Sequence, residues 1–335
     1  TVANAQNYAG TADVGVAFIG AGSYAQGNLL PNLDGVDGIS RVTVLTNTGT
    51  TSRRVAERFG FASCTDREDD VFANSAVNTV FIATRHDSHA EYSIKALAHG
   101  KNVFVEKPLA MTVGELQAIE TAYQTSGKQL LVGFNRRFAP LAVSMKKILG
   151  TGAMSMIYRV NAGKIPADTW IQDTELGGGR IIGEGCHFID FMTWTCGSLP
   201  VKVYASALPD AAGCNDTVNI TLEFANGSTG VVAYYANGSK DLPKEYFEAH
   251  HAGVSAVLRD FRELEWYSPR KKRERRWSQD KGQAAMVAAF LQSIKSGGPA
   301  LIPFAELMAS TLASFAVLES LRQQAPVALE AVRNA

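Results

Sequence analysis

The chain has 335 residues, 46% hydrophobic and 19% charged, and its 32 basic and 32 acidic side chains cancel to a formal net charge of zero. That length suits two cores rather than one. The balance excludes disordered, fibrous and strongly polyelectrolyte classes, and leaves no bulk electrostatic pull toward nucleic acid or a lipid surface.

Residues 1–12 are polar and rich in small side chains, without the basic start and apolar core of a secretory signal. We read them as a flexible segment, and the opening Thr1 as a sign of residues or a module upstream. No run of about eighteen apolar residues occurs, so no membrane span is expected. The four cysteines, Cys64, Cys186, Cys196 and Cys214, show neither metal-ligand spacing nor the density of a disulfide-stapled fold. Buried thiols, no metal and a cytoplasmic setting are the expectation.

From Val14 onward short apolar runs alternate with stretches of helical period. Strands are predicted at Val14–Ile19, Arg41–Thr46, Thr79–Ala83, Asn102–Val105 and Leu130–Phe134, and helices at Ala25–Leu33, Ser52–Phe59, His89–His99 and Val113–Ser126. Alternation at this pace implies βαβ units and a doubly wound parallel sheet. The first strand runs into Gly20-Ala21-Gly22-Ser23-Tyr24-Ala25, a G-x-G-x-x-A pattern in the context that gives it meaning. Gly20 permits a tight turn, Gly22 lets a pyrophosphate approach the backbone, and Ala25 allows close packing of helix on strand. A dinucleotide is therefore the expected cofactor.

The end of the second strand usually carries the acid that holds the ribose hydroxyl of NAD, but here it reads Thr46-Asn47-Thr48-Gly49, followed by Arg53-Arg54. A neutral loop near two arginines accommodates a 2′-phosphate, so the reading is NAD or NADP with a lean to NADP. Thr46 and Asn47 are expected at the cofactor, as are Thr84, Arg85, His86 and His89 from the strand ending near Ala83. Next comes Glu106-Lys107-Pro108, directly after Asn102–Val105. It sets an amine at a strand's carboxyl end, where ligands bind in open α/β sheets and where Lys107 can serve as proton acceptor or relay.

Beyond Gly150-Thr151-Gly152 the pattern changes to strands with few helices: Ala153–Asn161, Val201–Ser206, Val218–Phe224 and Ser228–Tyr235, the last two joined by a hairpin signal at Ala225-Asn226-Gly227. One helix is predicted at Gly183–Thr195 and two more at Gln283–Lys295 and Ala305–Gln324. This is an α+β domain with a large, mostly antiparallel open sheet. The basic run Arg270 to Arg276 is read as a solvated hairpin end of that sheet rather than a nucleic-acid site.

The opening fingerprint, Glu106-Lys107-Pro108, Gly133-Phe134-Asn135-Arg136-Arg137-Phe138 and Gly177-Gly178-Gly179 leading to His187 together resemble the Gfo/Idh/MocA oxidoreductases, over nearly the whole chain from Asp13 to about Arg322. Three further stretches, Ala83 to His89, Gly179 to Asp190 and Leu242 to Tyr246, resemble the corresponding module of bi-domain oxidoreductases. The resemblance implies a Rossmann dinucleotide-binding domain at 13–134, an α/β substrate-binding and oligomerisation domain at 135–325, and a tail at 326–335. It further implies a homodimer or homotetramer assembled through the second sheet.

By the same resemblance Lys107 is the catalytic residue, with a cis bond before Pro108, and Glu106 lies beside the cofactor. His187 matches the histidine of the family's Asp-x-x-x-His signature, whose aspartate position falls here on Gly183. Glu184 is expected to substitute, since three-apart residues share a helix face and a carboxylate there would orient His187. Asn135, Arg136, Lys164, Trp170 and Asp190 are placed around the substrate. The implied activity is NAD(P)-dependent hydride transfer at a secondary alcohol or ketone of a sugar, polyol or nucleotide-sugar. The competing class is an NAD(P)-binding sensor or partner protein of the same fold.

Overall fold

The computed structural model describes residues 2–3, 14–209 and 213–334. Of the segment expected to be flexible, only Val2–Ala3 falls among them; the rest lies outside the described residues. The chain forms two units: Thr1–Gly133 with Gln283–Phe304, and Phe134–Gly282 with Ala305–Ala335.

The first unit is built on a seven-stranded sheet in the order β1-β4-β3-β2-β5-β6-β7: β1 (Val2–Ala3), β2 (Val14–Ile19), β3 (Ile39–Leu45), β4 (Ser63–Thr65), β5 (Thr79–Ile82), β6 (Asn102–Val105) and β7 (Leu130–Val132). All pairings are parallel except that of β1 with β4. β2, β5 and β7 are buried along their whole length, as strands covered on both faces must be. Phe18, Phe81 and Phe104 form a stacked file across the sheet, with neighbouring centroids 4.8 Å apart.

The helices of this unit are α1 (Ser23–Asn28), α2 (Gly49–Phe59), α3 (Asp69–Phe72), α4 (His89–Ala98) and α5 (Val113–Ser126). The helix expected through Leu33 stops at Asn28, because Pro31 lies in a separate 3₁₀ turn, Leu30–Leu33. α5 starts at a capping box in which Thr112 and Glu115 satisfy each other's backbone N–H, and ends at Gly127 in the left-handed conformation.

The second unit begins with α6 (Pro140–Leu149) and holds a nine-stranded sheet, ordered β15-β14-β13-β12-β8-β11-β10-β9-β16. Its strands are β8 (Ser155–Asn161), β9 (Pro200–Ala207), β10 (Val218–Phe224), β11 (Thr229–Tyr235), β12 (Glu245–His251), β13 (Val254–Arg259), β14 (Glu263–Tyr267), β15 (Lys271–Arg275) and β16 (Val327–Ala328). Only β8 with β11 is parallel. One register row, Leu264, Leu258, Phe247, Tyr158, Val232, Ile220 and Ala205, is buried throughout. α7 (Cys186–Cys196) is buried on nearly every side. The row one residue over, containing Val257, Glu248, Ile157, Val231, Thr221 and Tyr204, faces outward and mixes charged with apolar side chains.

Two boundaries differ from the sequence expectation. α8 (Gln283–Ser296) returns to the first unit, where Phe290 lies 6.0 Å from Phe81 and from Phe104, and Gln129 donates to Ser293 Oγ and Gly298 O at 3.1 and 2.6 Å. The expected tail at 326–335 contributes β16, which pairs with β9, and α10 (Leu329–Arg333), with Leu329 and Val332 buried. Between them α9 (Phe304–Gln323) is long and apolar enough by composition to cross a bilayer, yet 67% of its apolar window is buried within the fold.

Candidate active site

Because β2 to β7 run parallel and in register, Ile19, Leu45, Ile82, Val105 and Val132 end together, and the segments after them emerge at one edge of the first sheet. Gly20 turns there at φ +80°, its N–H donating to Leu45 O at 2.9 Å; a Cβ would stand 2.7 Å from Ala83 O, so only glycine fits. Gly22 is the opposite case. A Cβ added there meets nothing within 4 Å, leaving the backbone open to close approach. Ala25 is buried, and Ser23 and Tyr24 are exposed on the same turn. This arrangement fits the pyrophosphate of a dinucleotide.

The neighbouring loops are more internally engaged than expected. The Thr46 hydroxyl lies 2.8 Å from Ser52 Oγ and donates to Thr48 O at 3.0 Å, so Thr46 is a buried brace for the start of α2. Asn47 is exposed. Arg53 pairs with Glu57 at 2.9 Å, and this pair occupies one of the two arginines on which the lean to NADP rested. His89, 1% exposed, has Nδ1 2.7 Å from Pro108 O and Nε2 3.3 Å from Thr84 O. Burial pushes its pKa down to about 4, so it is a neutral strut between two loops. His86 is buried beside it, ring centroids 5.6 Å apart, whereas Thr84 and Arg85 are less buried.

The strut holds the Lys107 segment. Glu106 donates its N–H to Ile82 O, its carboxylate is buried over Gly133, and a Cβ on Gly133 would come within 2.7 Å of Glu106 Oε1. The Lys107-Pro108 bond is cis, and Lys107 stands partly exposed at the sheet edge.

In the second unit the polar groups gather at the end of the sheet where β8 and β11 finish and β12 begins. A single π-helical turn, Ile181–Gly185, precedes α7, so Glu184 sits in the π turn and His187 in the α-helix that follows. Glu184 is the hub of a cluster, accepting from Lys244 Nζ at 2.5 Å, Tyr234 OH at 2.5 Å and Arg180 Nη2 at 3.3 Å. Burial, then Glu184, holds the Tyr234 hydroxyl far above the ordinary phenol range. Arg180 also donates to Gly163 O at 2.6 Å, tying down the loop that carries exposed Lys164 and half-buried Trp170. His187, buried on α7, packs edge-on against Phe134 at 5.8 Å.

Three of the expected substrate ligands are occupied within this unit. Arg136 donates to both oxygens of Glu245, at 2.7 and 2.9 Å, where Tyr158 and Lys281 also donate at 2.6 Å. Burial opposes the Glu245 charge, but Arg136 and Lys281 overrule it and keep the carboxyl well below its usual range. Asp190 takes two hydrogen bonds from Arg137, at 2.8 and 2.6 Å, while burial pushes its pKa up to about 6 against that pull. Asn135 donates to Lys281 O at 2.8 Å. Each was expected to meet substrate, and each is spent holding the second unit together.

Residues 14–134 match the oxidoreductase family with an NAD-binding Rossmann fold, and residues 148–245 match the GFO/IDH/MocA C-terminal domain. The chain belongs to the Gfo/Idh/MocA family. Among its relatives in this family, inositol 2-dehydrogenase 2 of Saccharopolyspora erythraea is 33% identical over 175 residues, 49% of each chain. Levoglucosan dehydrogenase of Pseudarthrobacter phenanthrenivorans is 27% identical over 236 residues, 61% of this chain and 60% of that one. The chain thus spans about half the length of the first curated relatives it matches. A solved levoglucosan dehydrogenase with NADH and levoglucosan shares the fold with a TM-score of 0.82 at 21% identity, covering 94% of this chain and 99% of that one.

Sequence reasoning passed over the cluster around Glu184. Lys244 lies in Leu242-Pro243-Lys244-Glu245-Tyr246, a stretch that carried the resemblance but no assigned role. Tyr234 reaches the same carboxylate from β11, 50 residues away, which no local pattern connects; Arg180, just before the π turn, reaches it at an i,i+4 spacing.

Proposed function

We propose that this Gfo/Idh/MocA chain is a nicotinamide-dependent oxidoreductase acting at a secondary alcohol or ketone of a sugar or polyol. The observation that carries it is the first sheet's edge, where the open Gly22 backbone and the Lys107 amine emerge at the same end of in-register parallel strands, with β5 between them. Bound there, the nicotinamide would accept or deliver hydride. Gly20, Gly22 and Ala25 hold the dinucleotide, and Lys107 takes the hydroxyl proton on oxidation and returns it on reduction. The polar end of the second sheet, around Glu184, Lys244 and Tyr234, recognises the sugar, with His187 on α7 as the second proton-handling group. The named relatives, inositol and levoglucosan dehydrogenases, support a polyol or anhydrosugar class.

NAD is the better-supported cofactor, since the relatives' structures hold NADH and Arg53 is paired with Glu57 in this chain. The outward row of the second sheet, with exposed Ile157 and Tyr204, is the face we assign to self-association. The test is a panel of inositols, aldoses, anhydrosugars and nucleotide-sugars, each supplied with NAD or NADP and followed at the reduced-nicotinamide absorbance. Turnover with at least one polyol or sugar is expected. Saturable cofactor binding without turnover across the panel would favour a sensor, a reading that Gly183 at the family's aspartate position specifically invites.

A further inference from the structure

The basic run Arg270 to Arg276 has no part in that chemistry, and the structure gives it a shape. β15 carries it along the edge of the second sheet, and beside its end lies a cavity of about 560 Å³ lined by residues of the β13–β14 turn, β15 and the segment after it. Part of its charge is already balanced. Glu263 is held by Arg259 at 3.3 Å, Arg275 at 3.2 Å and also Arg273, and Glu265 by Arg259 and Lys271, both at 2.6 Å. Arg262 and Arg276 are different. They are exposed, neither has an ion-pair partner among the described residues, and the Arg276 N–H donates to Arg262 O at 2.8 Å, so the two sit on adjoining backbone.

Two further features face the same cavity. Trp277, the next residue, is fully exposed at 105%, which is unusual for the largest apolar side chain. Asp260 and Phe261 have φ of +48° and +55°, and the Arg262 N–H donates to Arg259 O at 2.9 Å, which makes a tight mirror-image turn without the usual glycine. Phe261 is buried and packs against Phe191 at 5.9 Å, which anchors the turn from within. Asp260 lines the cavity, and its Oδ1 is buried without a hydrogen-bond partner. Backbone held in a sparsely populated region calls for an explanation, and a ligand bound against the turn supplies one.

We infer that this cavity binds a nucleoside diphosphate group. Two guanidiniums without ion-pair partners among the described residues line one cavity and match a diphosphate, and an exposed indole offers a stacking plane for a base. The volume lies in the range of small-molecule sites. The group arrives either as a free nucleotide or as the head of a sugar nucleotide. The assignment rests on the second unit alone and stands whether or not the hydride-transfer reading does.

Calorimetric titration of UDP into the full chain, with NAD already saturating so that the Rossmann edge is filled, tests it. Saturable binding is expected, weakened about tenfold or more in Arg262→Ala/Arg276→Ala and about fivefold or more in Trp277→Ala. All three side chains are exposed, and unchanged circular dichroism verifies that the variants fold. Uridine should bind far more weakly than UDP. UDP-glucose binding tighter than UDP identifies a sugar nucleotide, and equal binding identifies a free nucleotide. Absence of heat with UDP, or equal affinity in both variants, overturns the site. So does a Trp277→Ala variant that converts a dimer to a monomer while the wild type ignores UDP, since the cavity would then belong to a contact between copies.

Discussion

His89 was expected to touch the cofactor, and the structure makes it a neutral strut between Pro108 and Thr84. The consequence is a pH dependence. Its folded pKa of about 4 lies below the ordinary 6.5, so between those values the unfolded chain binds the proton more readily than the folded one. Stability therefore rises with pH through that window and is lost as pH falls from 6.5 toward 4, by about 3 kcal/mol from this group. Urea unfolding at pH 7 and pH 4.5 should show that loss in the wild type and a smaller one in His89→Gln; equal losses would remove the strut from the account. Glu245 makes a second case. Glu245→Ala leaves Arg136 buried without its counter-charge, and equilibrium unfolding should register a loss of about 3–5 kcal/mol. Glu57→Ala frees Arg53 and should raise NADP affinity relative to NAD several-fold; an unchanged ratio of the two dissociation constants would mean Arg53 does not reach the 2′-position.

At the scale of elements, the parts that were legible are those whose signal is local. Val14–Ile19 followed by Gly20-Ala21-Gly22, and Asn102–Val105 followed by Glu106-Lys107, appear in the structure with the expected strand bounds because a buried parallel strand is a plain apolar run. β12 to β14 were missed, and β15 was read only as a hairpin end. Their inward residues alternate with Glu248, Glu263, Glu265, Arg259 and the basic run, so an outward row rich in charge masks the strand pattern. The π turn at Ile181–Gly185 was equally invisible. It rests on a hydrogen-bond offset rather than a residue preference, and no local signal ties Glu184 to Tyr234 or Lys244. Glu184→Gln keeps the shape of that hub while removing its charge. On the proposed function it should raise KM for the sugar several-fold with little change in cofactor affinity, as steady-state kinetics would show.

Across the whole molecule, the two-domain plan was readable from the change of pattern near Gly150, but the crossing of α8 was not, since nothing local marks a helix as belonging to a sheet some 150 residues earlier. Phe290 closes over Phe81 and Phe104, so a chain ending at Gly282 should expose that face, bind a hydrophobic dye and unfold at a lower temperature than the full chain. The central claim concerns Lys107 at the edge of the first sheet. Its most direct test is kcat for Lys107→Ala, measured on whichever sugar or polyol proves active and alongside the cofactor dissociation constant. The account predicts a loss of about a hundredfold or more in kcat with cofactor affinity within a few-fold of wild type. An unchanged kcat would contradict it.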